Sequence, residues 1–220
     1  MTYLEEKYQK IWGLKKLEEL NLPVPKYRIV EFYKADRAEI ENRVNEQISK
    51  FELPDKKGLA VGVTLRVSLP GKLDKSGKHG SLHIMTKQKL VEEILEKYDE
   101  YGIRCKIIVQ DTIDANSSGT LLIERNHCII ETVPGDAPAL LEGKTNNYES
   151  WRYSLKTNLW KREWHFTANG NICSILTFSD LKRFERFLIR IPNNSYLEWS
   201  ISKSNDIFFY EFMKLSDFSK

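Results

Sequence analysis

Tyr196-Leu-Glu-Trp-Ser-Ile-Ser-Lys-Ser-Asn-Asp-Ile-Phe-Phe-Tyr-Glu-Phe-Met213 holds two strand-like runs separated by the polar loop Lys203-Ser204-Asn205-Asp206. Alternating apolar residues on either side of such a loop predict a β-hairpin. If Ser202 faces Ile207, then Trp199 opposes Tyr210, Ile201 opposes Phe208 and Leu197 opposes Phe212, which makes one apolar face for a core. The same register sets Glu198 opposite Glu211 on the other face. Two like charges across a strand pair are unfavourable unless something neutralises them. A divalent cation would do so, and Mg²⁺ is normally held by one or two carboxylates together with nucleotide phosphates. Two solvated glutamates on an outer face are the competing reading.

Outward from the hairpin, the chain alternates helix-like and strand-like segments. Apolar residues recur at helical spacing from Leu4 to Leu20 until Pro23 and Pro25 stop them. Tyr27–Phe32 predicts a strand, and Asp36–Phe51 a helix opening on an acidic cap and ending before Pro54. Leu59–Leu69 and Ser81–Met85 predict strands around the Gly/Lys-rich loop 70–80, followed by a capped amphipathic helix over Thr86–Tyr101. Strands are expected at Lys106–Asp111, Thr120–Glu124 and His127–Val133. A loop over Pro134–Asn147, further strands or edge hairpins in Trp151–Phe166 and Asn171–Phe178, and a helix over Ser179–Arg190 complete the pattern.

At 220 residues, with 41% hydrophobic and 11% aromatic residues, the chain has the material for a sizeable core. A net charge of +3 does not point to a nucleic acid or a membrane as partner. The basic residues interleaved with Trp151, Trp160 and Trp164 resemble a single-strand-binding surface, although the same aromatics serve equally as core. Cys105, Cys128 and Cys173 lack any metal-ligand spacing and read as buried, reduced residues. With no apolar run of membrane length and no apolar leader, a cytosolic location is expected. Within loop 70–80, Gly71, Gly77 and Gly80 free the backbone to wrap a phosphate while Lys72, Lys75 and Lys78 supply charge, but the G-x-x-x-x-G-K-[ST] pattern is missing. A solvated basic hairpin is the alternative there.

Several segments, in order, resemble the nucleotide-binding domain of phosphoenolpyruvate synthase and pyruvate phosphate dikinase. These are Gly13-Leu-Lys-Lys-Leu-Glu-Glu-Leu-Asn-Leu-Pro-Val-Pro25, Val63-Thr-Leu-Arg-Val-Ser68, Ile107-Ile-Val-Gln-Asp-Thr-Ile113, Asn116-Ser-Ser-Gly-Thr-Leu-Leu122, Ile130-Glu-Thr-Val-Pro-Gly-Asp-Ala-Pro-Ala-Leu-Leu-Glu-Gly143, and the hairpin itself. The resemblance implies an α+β, ATP-grasp-like fold with two lobes and mainly antiparallel sheets. An N-terminal lobe over 1–110 would carry the phosphate-binding loop and a C-terminal lobe over 111–220 the metal-binding hairpin.

It further implies ATP and Mg²⁺ as cofactors, in a protein that transfers a phosphoryl group or activates a carboxylate on an unknown acceptor. Lys15 or Lys16 would be the phosphate lysine, with Lys10 an open alternative. Arg66 and Lys16 would act on the transferring phosphate, with Ser68 and Lys78 beside it. Gln110, Asp111, Thr112 and Ile113 would line the base, Asn116–Leu122 would be a small-residue turn, Glu131 would lie near the ribose, and Glu198 and Glu211 would hold the metal. A partner chain is left open, and neither membrane nor nucleic acid is expected. Where the dikinases have glutamine this chain has Glu211, a carboxylate being usual there in the wider ATP-grasp group, while Met213 stands where a polar residue is expected; Met213, the small size and the imperfect lysine match favour, as the alternative, a non-catalytic nucleotide-binding or interaction module. The 220 residues have no room for a phosphohistidine domain or a phosphoenolpyruvate-binding barrel, so phosphoenolpyruvate synthesis by this chain alone is not expected.

Overall fold

A computed structural model describes residues 8–34, 36–49, 62–71, 82–136, 147–165, 167–168, 171–172 and 174–217. The sequence expectations for Lys72, Lys75, Lys78, Gly77, Gly80 and Cys173 and for most of loop 134–147 lie outside these residues. The chain divides into two compact units, one formed by 1–12 with 25–113 and the other by 13–24 with 114–220. Among the described residues there are four α-helices and twelve strands, and every strand pairing is antiparallel. No described helix is long and apolar enough to cross a membrane.

Helix α1 spans Gln9–Glu19, and the division between the units falls within it. The first unit adds strand β1 (Tyr27–Glu31), helix α2 (Arg37–Ile48), strands β2 (Val63–Ser68) and β3 (Leu82–Ile84), helix α3 (Lys87–Tyr101) and strand β4 (Lys106–Asp111). Asp36 and Thr86 cap the two helices, each side chain accepting from the backbone N–H three residues on (Glu39 at 2.9 Å, Lys89 at 3.3 Å). The four strands form one sheet in the order β1-β4-β2-β3. Val63, Leu65 and Val67 alternate inward with Ile107, Val109 and Val30 and share one core with Ile40, Val44 and Ile48 of α2 and Leu90 and Ile94 of α3. Period-2 alternation then leaves Arg66, Ser68 and Gln110 on the opposite face.

The second unit contains β5 (Ala115–Ile123), β6 (His127–Pro134), β7 (Glu149–Ser154), β8 (Leu159–Trp164), β9 (Thr167–Ala168), β10 (Asn171–Ile172), helix α4 (Phe178–Leu188), β11 (Ser195–Ser202) and β12 (Ile207–Lys214). Six of these strands form a sheet in the order β12-β11-β5-β6-β7-β8, and β9 and β10 pair separately. Helix α4 opens on a capping box between Thr177 and Asp180. Its Phe184 ring lies 4.7 Å from Trp199, edge on, at the centre of this unit's core. Gly13 is required where α1 meets β12, because a Cβ there would sit 2.8 Å from the Phe212 carbonyl oxygen.

Two expectations are corrected here. Asn116–Leu122, expected as a small-residue turn, belongs to β5, which is bonded on both sides by β6 and β11. Small residues suit this strand because the indole of Trp199 crosses Gly119: a Cβ at 119 would lie 2.9 Å from the ring and 1.9 Å from the Glu131 carbonyl oxygen. The hairpin register also slips by one residue. Leu197 faces Phe212 and Glu198 faces Glu211 as expected, but Trp199 then faces Phe209, Ser200 faces Phe208 and Ile201 faces Ile207. Tyr210 is the extra residue of a β-bulge. Without it Tyr210 and Phe208 would line the core; with it Phe209 and Ile207 are buried there and the Tyr210 hydroxyl leaves, donating to the Trp199 carbonyl at 3.3 Å and accepting from Ser200 at 3.4 Å.

Candidate functional site

In the second unit the register builds one row of side chains across the sheet. Glu211 on β12 faces Glu198 on β11, which faces Thr120 on β5, then Glu131 on β6, then Ser150 on β7. Residues paired across an antiparallel sheet share a face, so three carboxylates and two hydroxyls line the side away from Trp199 and Phe209. Glu211, Thr120 and Ser150 are buried, and Glu198 and Glu131 are half-buried. At a strand spacing of roughly 4.8 Å, Glu131 stands about 10 Å from Glu198 with Thr120 between them. Among the described residues no group of three or more His, Cys, Asp or Glu side chains converges on one point.

Two residues from Glu198 along β11, and so on the same face, the Tyr196 hydroxyl donates to Glu198 Oε1 at 3.3 Å. Burial first, and then the charges of Glu198 and Glu211, push the Tyr196 phenol well above the usual tyrosine range, so it keeps its proton and remains a donor. One row further, Ser200 and Ser118 share a buried hydrogen bond of 2.7 Å. None of Thr120, Tyr196, Ser118 or Ser200 was singled out from the sequence. Their signal is the period-2 spacing from Glu198 along β11 and its register onto β5.

In the first unit, Arg66, Ser68 and Gln110 are buried on the face opposite the helices. Gln110 pairs with Tyr27 on one side and Thr64 on the other, and its Oε1 is buried without a hydrogen-bond partner. An amide oxygen with no donor is costly in the folded chain and is satisfied by a ligand N–H of the right geometry. Asp111 is exposed and its N–H donates to the Lys26 carbonyl at 2.9 Å, while the Thr112 hydroxyl shares a hydrogen bond of 2.8 Å with Thr64. Ile113 is half-buried.

The three lysines of α1 have different surroundings. Lys10 donates to the Val67 carbonyl at 2.8 Å, between Arg66 and Ser68. Lys15 and Lys16 make exposed i,i+3 ion pairs with Glu18 and Glu19 at 3.3 and 2.9 Å.

The basic and aromatic run 151–164 forms the hairpin β7–β8. Trp160 Nε1 donates to Glu185 at 2.9 Å and its ring tilts against Tyr153; the Trp151 ring lies under the Arg162 guanidinium. Trp164 is half exposed and stacks on Tyr148. Most of these rings are therefore occupied within the unit. Cys105 and Cys128 are buried free thiols, pushed up by that burial to about 11 and about 12, which leaves them poor nucleophiles at neutral pH.

No protein-family model matches the chain, and no curated protein matches it. Solved structures do match. The D-Ala:D-Ser ligase VanG from Enterococcus faecalis superposes with a TM-score of 0.52 at 14% identity, over 94% of this chain and 52% of that one. An N5-carboxyaminoimidazole ribonucleotide synthetase in complex with ADP gives 0.52 at 10% identity, over 96% of this chain and 45% of that one. The phosphoribosylamine–glycine ligase from Thermotoga maritima gives 0.51 at 13% identity, over 94% and 47%. The chain spans about half the length of each. Its fold is α+β and ATP-grasp-like.

Proposed function

We propose that this protein binds a Mg²⁺-nucleotide, ATP by preference, and uses it to transfer a phosphoryl group to, or activate a carboxylate of, an acceptor still to be identified. The observation that carries this reading is the Glu198–Glu211 pair, two like charges held face to face beside a β-bulge on the polar side of the sheet. A kinship with the nucleotide domain of phosphoenolpyruvate synthase belongs to the same proposal.

In this reading Glu198 and Glu211 are the residues that hold Mg²⁺, which when bound offsets charge on the phosphates. The donor set fits, since Mg²⁺ takes one or two carboxylates and completes its shell with phosphate oxygens and water. Glu131 serves the ribose. Gln110 to Ile113 line the base, and the orphaned Gln110 oxygen favours adenine, whose exocyclic amine donates where guanine carries an acceptor. Arg66, with Ser68 beside it, is the residue assigned to the phosphates. Lys10 is preferred to Lys15 and Lys16 as the phosphate lysine, because its amine lies against the strand that carries Arg66, whereas the other two are spent in exposed ion pairs. Catalysis is then positioning and fixed charge, as is usual in phosphoryl transfer.

A thermal-unfolding scan with Mg²⁺-ATP, Mg²⁺-GTP and Mg²⁺ alone tests the reading, since a ligand at about 100 times its Kd adds about 2.7 kcal/mol. The expected result is a shift with Mg²⁺-ATP that is lost in Glu198→Gln/Glu211→Gln; an undiminished shift in the folded double variant overturns it. Met213, paired with Tyr196 on the carboxylate face, favours a second reading, a nucleotide-binding module without turnover. Nucleotide protection with no phosphoryl or ligase product over a broad acceptor panel would select it.

A further inference from the structure

The two outer strands of the six-stranded sheet are finished differently. On β12 the Phe209 N–H donates to the Pro23 carbonyl at 2.8 Å, and Gly13 of α1 lies against Phe212, so the chain's own backbone covers that edge. Among the described residues no strand lies beyond β8. Register sets Leu159 beside Ser154, Lys161 beside Arg152 and Trp164 beside Ser150, all on the face that carries Glu131. Trp160 and Arg162 take the other face, where Glu185 and Glu149 engage them. The open face of β8 is therefore a strip of Leu159, 67% exposed, Lys161, and Trp164, 51% exposed. Lys161, and Lys156 in the adjoining turn, are exposed and have no ion-pair partner among the described residues.

We propose that β8 is a docking edge for an extended acidic segment of a partner protein, which adds a strand alongside Leu159–Arg162 with an apolar residue beside Leu159 and an acidic one beside Lys161. Large apolar side chains left in solvent along an open edge fit a surface that another strand completes. A lysine on that edge disfavours a partner of like charge and favours a carboxylate directly opposite. The bulge at Glu163 ends the regular run, and Trp164, stacked on Tyr148, supplies an apolar step beyond it. Backbone hydrogen bonds then give the affinity and alternate side chains the choice of sequence. The proposal is independent of the nucleotide reading.

The test uses the full chain and fluorescently labelled peptides with threonine at every second position and leucine and glutamate alternating at the others, read by anisotropy. Saturable binding is expected for the wild-type chain, weakened on the order of 10-fold in Lys161→Glu and recovered when that variant meets a peptide carrying lysine for glutamate. Successive N–H groups of a strand point to opposite sides, so N-methylation at one set of alternate residues should abolish binding and at the other set should spare it. No saturable binding overturns the proposal. Equal binding by the two N-methylated peptides overturns it too, because attraction of charge without strand pairing would suffice. A Lys161→Glu chain that holds the glutamate peptide as tightly as wild type removes the acidic partner. Sedimentation that shows a wild-type dimer abolished by Lys161→Glu would assign the edge to a second copy of the chain instead.

Discussion

The six-stranded sheet has a bulged hairpin at each end, and the two ends use the bulge in opposite ways. In β11–β12 the register shifts beside Glu198, and the carboxylates it leaves together have like charge. In β7–β8 it shifts between Ser150 and Trp151, leaving Glu163 as the extra residue, and there the neighbouring charges are opposite. Arg152 pairs with Glu163 at 3.0 Å near the surface, and Arg162 reaches the fully buried Glu149 at 3.0 Å. Glu149 also accepts from the backbone N–H groups of Ile175 and Leu176, both at 3.0 Å, and so ties β7 to the approach of α4. At one end the charges satisfy each other and the result is structure. At the other, like charges face each other across the strands, and in the proposed reading a divalent cation balances them.

The largest effect that would sharpen this contrast is at Glu149. Replacing it by alanine removes the acceptor of the Ile175 and Leu176 N–H groups and the ion-pair partner of Arg162, and chemical denaturation should register a loss of about 1–3 kcal/mol. A loss below about 1 kcal/mol would break the assignment of this end as the structural one. Glu211→Gln should act on the ligand response instead: the Mg²⁺-ATP shift disappears, and a shift of wild-type size in the folded variant would remove Glu211 from the proposed metal pair. Arg152→Ala removes a solvent-screened ion pair and should cost under about 1 kcal/mol, with nucleotide response unchanged.

Cys128, on β6 between the two ends, provides the smallest effect at neutral pH, where none is expected. Its thiol is raised by burial from 9.0 to about 12. The stability it contributes is full below pH 9 and is lost as pH rises toward 12, because the unfolded chain releases a proton that the folded chain retains. Denaturant midpoints measured upward from pH 8 in Cys128→Ala should lack this component of the decline.

Alternation and caps made most elements legible in the sequence: β4 occupies Lys106–Asp111, and Asp36 and Thr86 cap their helices. The bulge was not legible, because which of Phe209 and Tyr210 enters the core depends on what lies beneath the hairpin, and the phenol hydroxyl tips the balance only once Ser200 is beside it. The stretch 116–119 reads locally as a turn, since small polar residues favour turns unless strands on both sides take their backbone hydrogen bonds. Glu149 escaped notice because its partners are 26 and 27 residues away. Of the candidate site, the facing of Glu198 and Glu211 could be had from hairpin arithmetic, whereas the neighbourhood of Lys10 at Val67 required knowing where a helix lies on a strand.

Gly119 has a bearing on how this molecule could be altered by random mutagenesis. Any side chain there collides at once with the Trp199 ring and with the backbone oxygen of Glu131. A library that diversifies 119 alone should therefore return almost nothing but glycine, and even a smaller ring at 199 relieves only one of the two clashes, because the oxygen at 131 is backbone whatever side chain stands there.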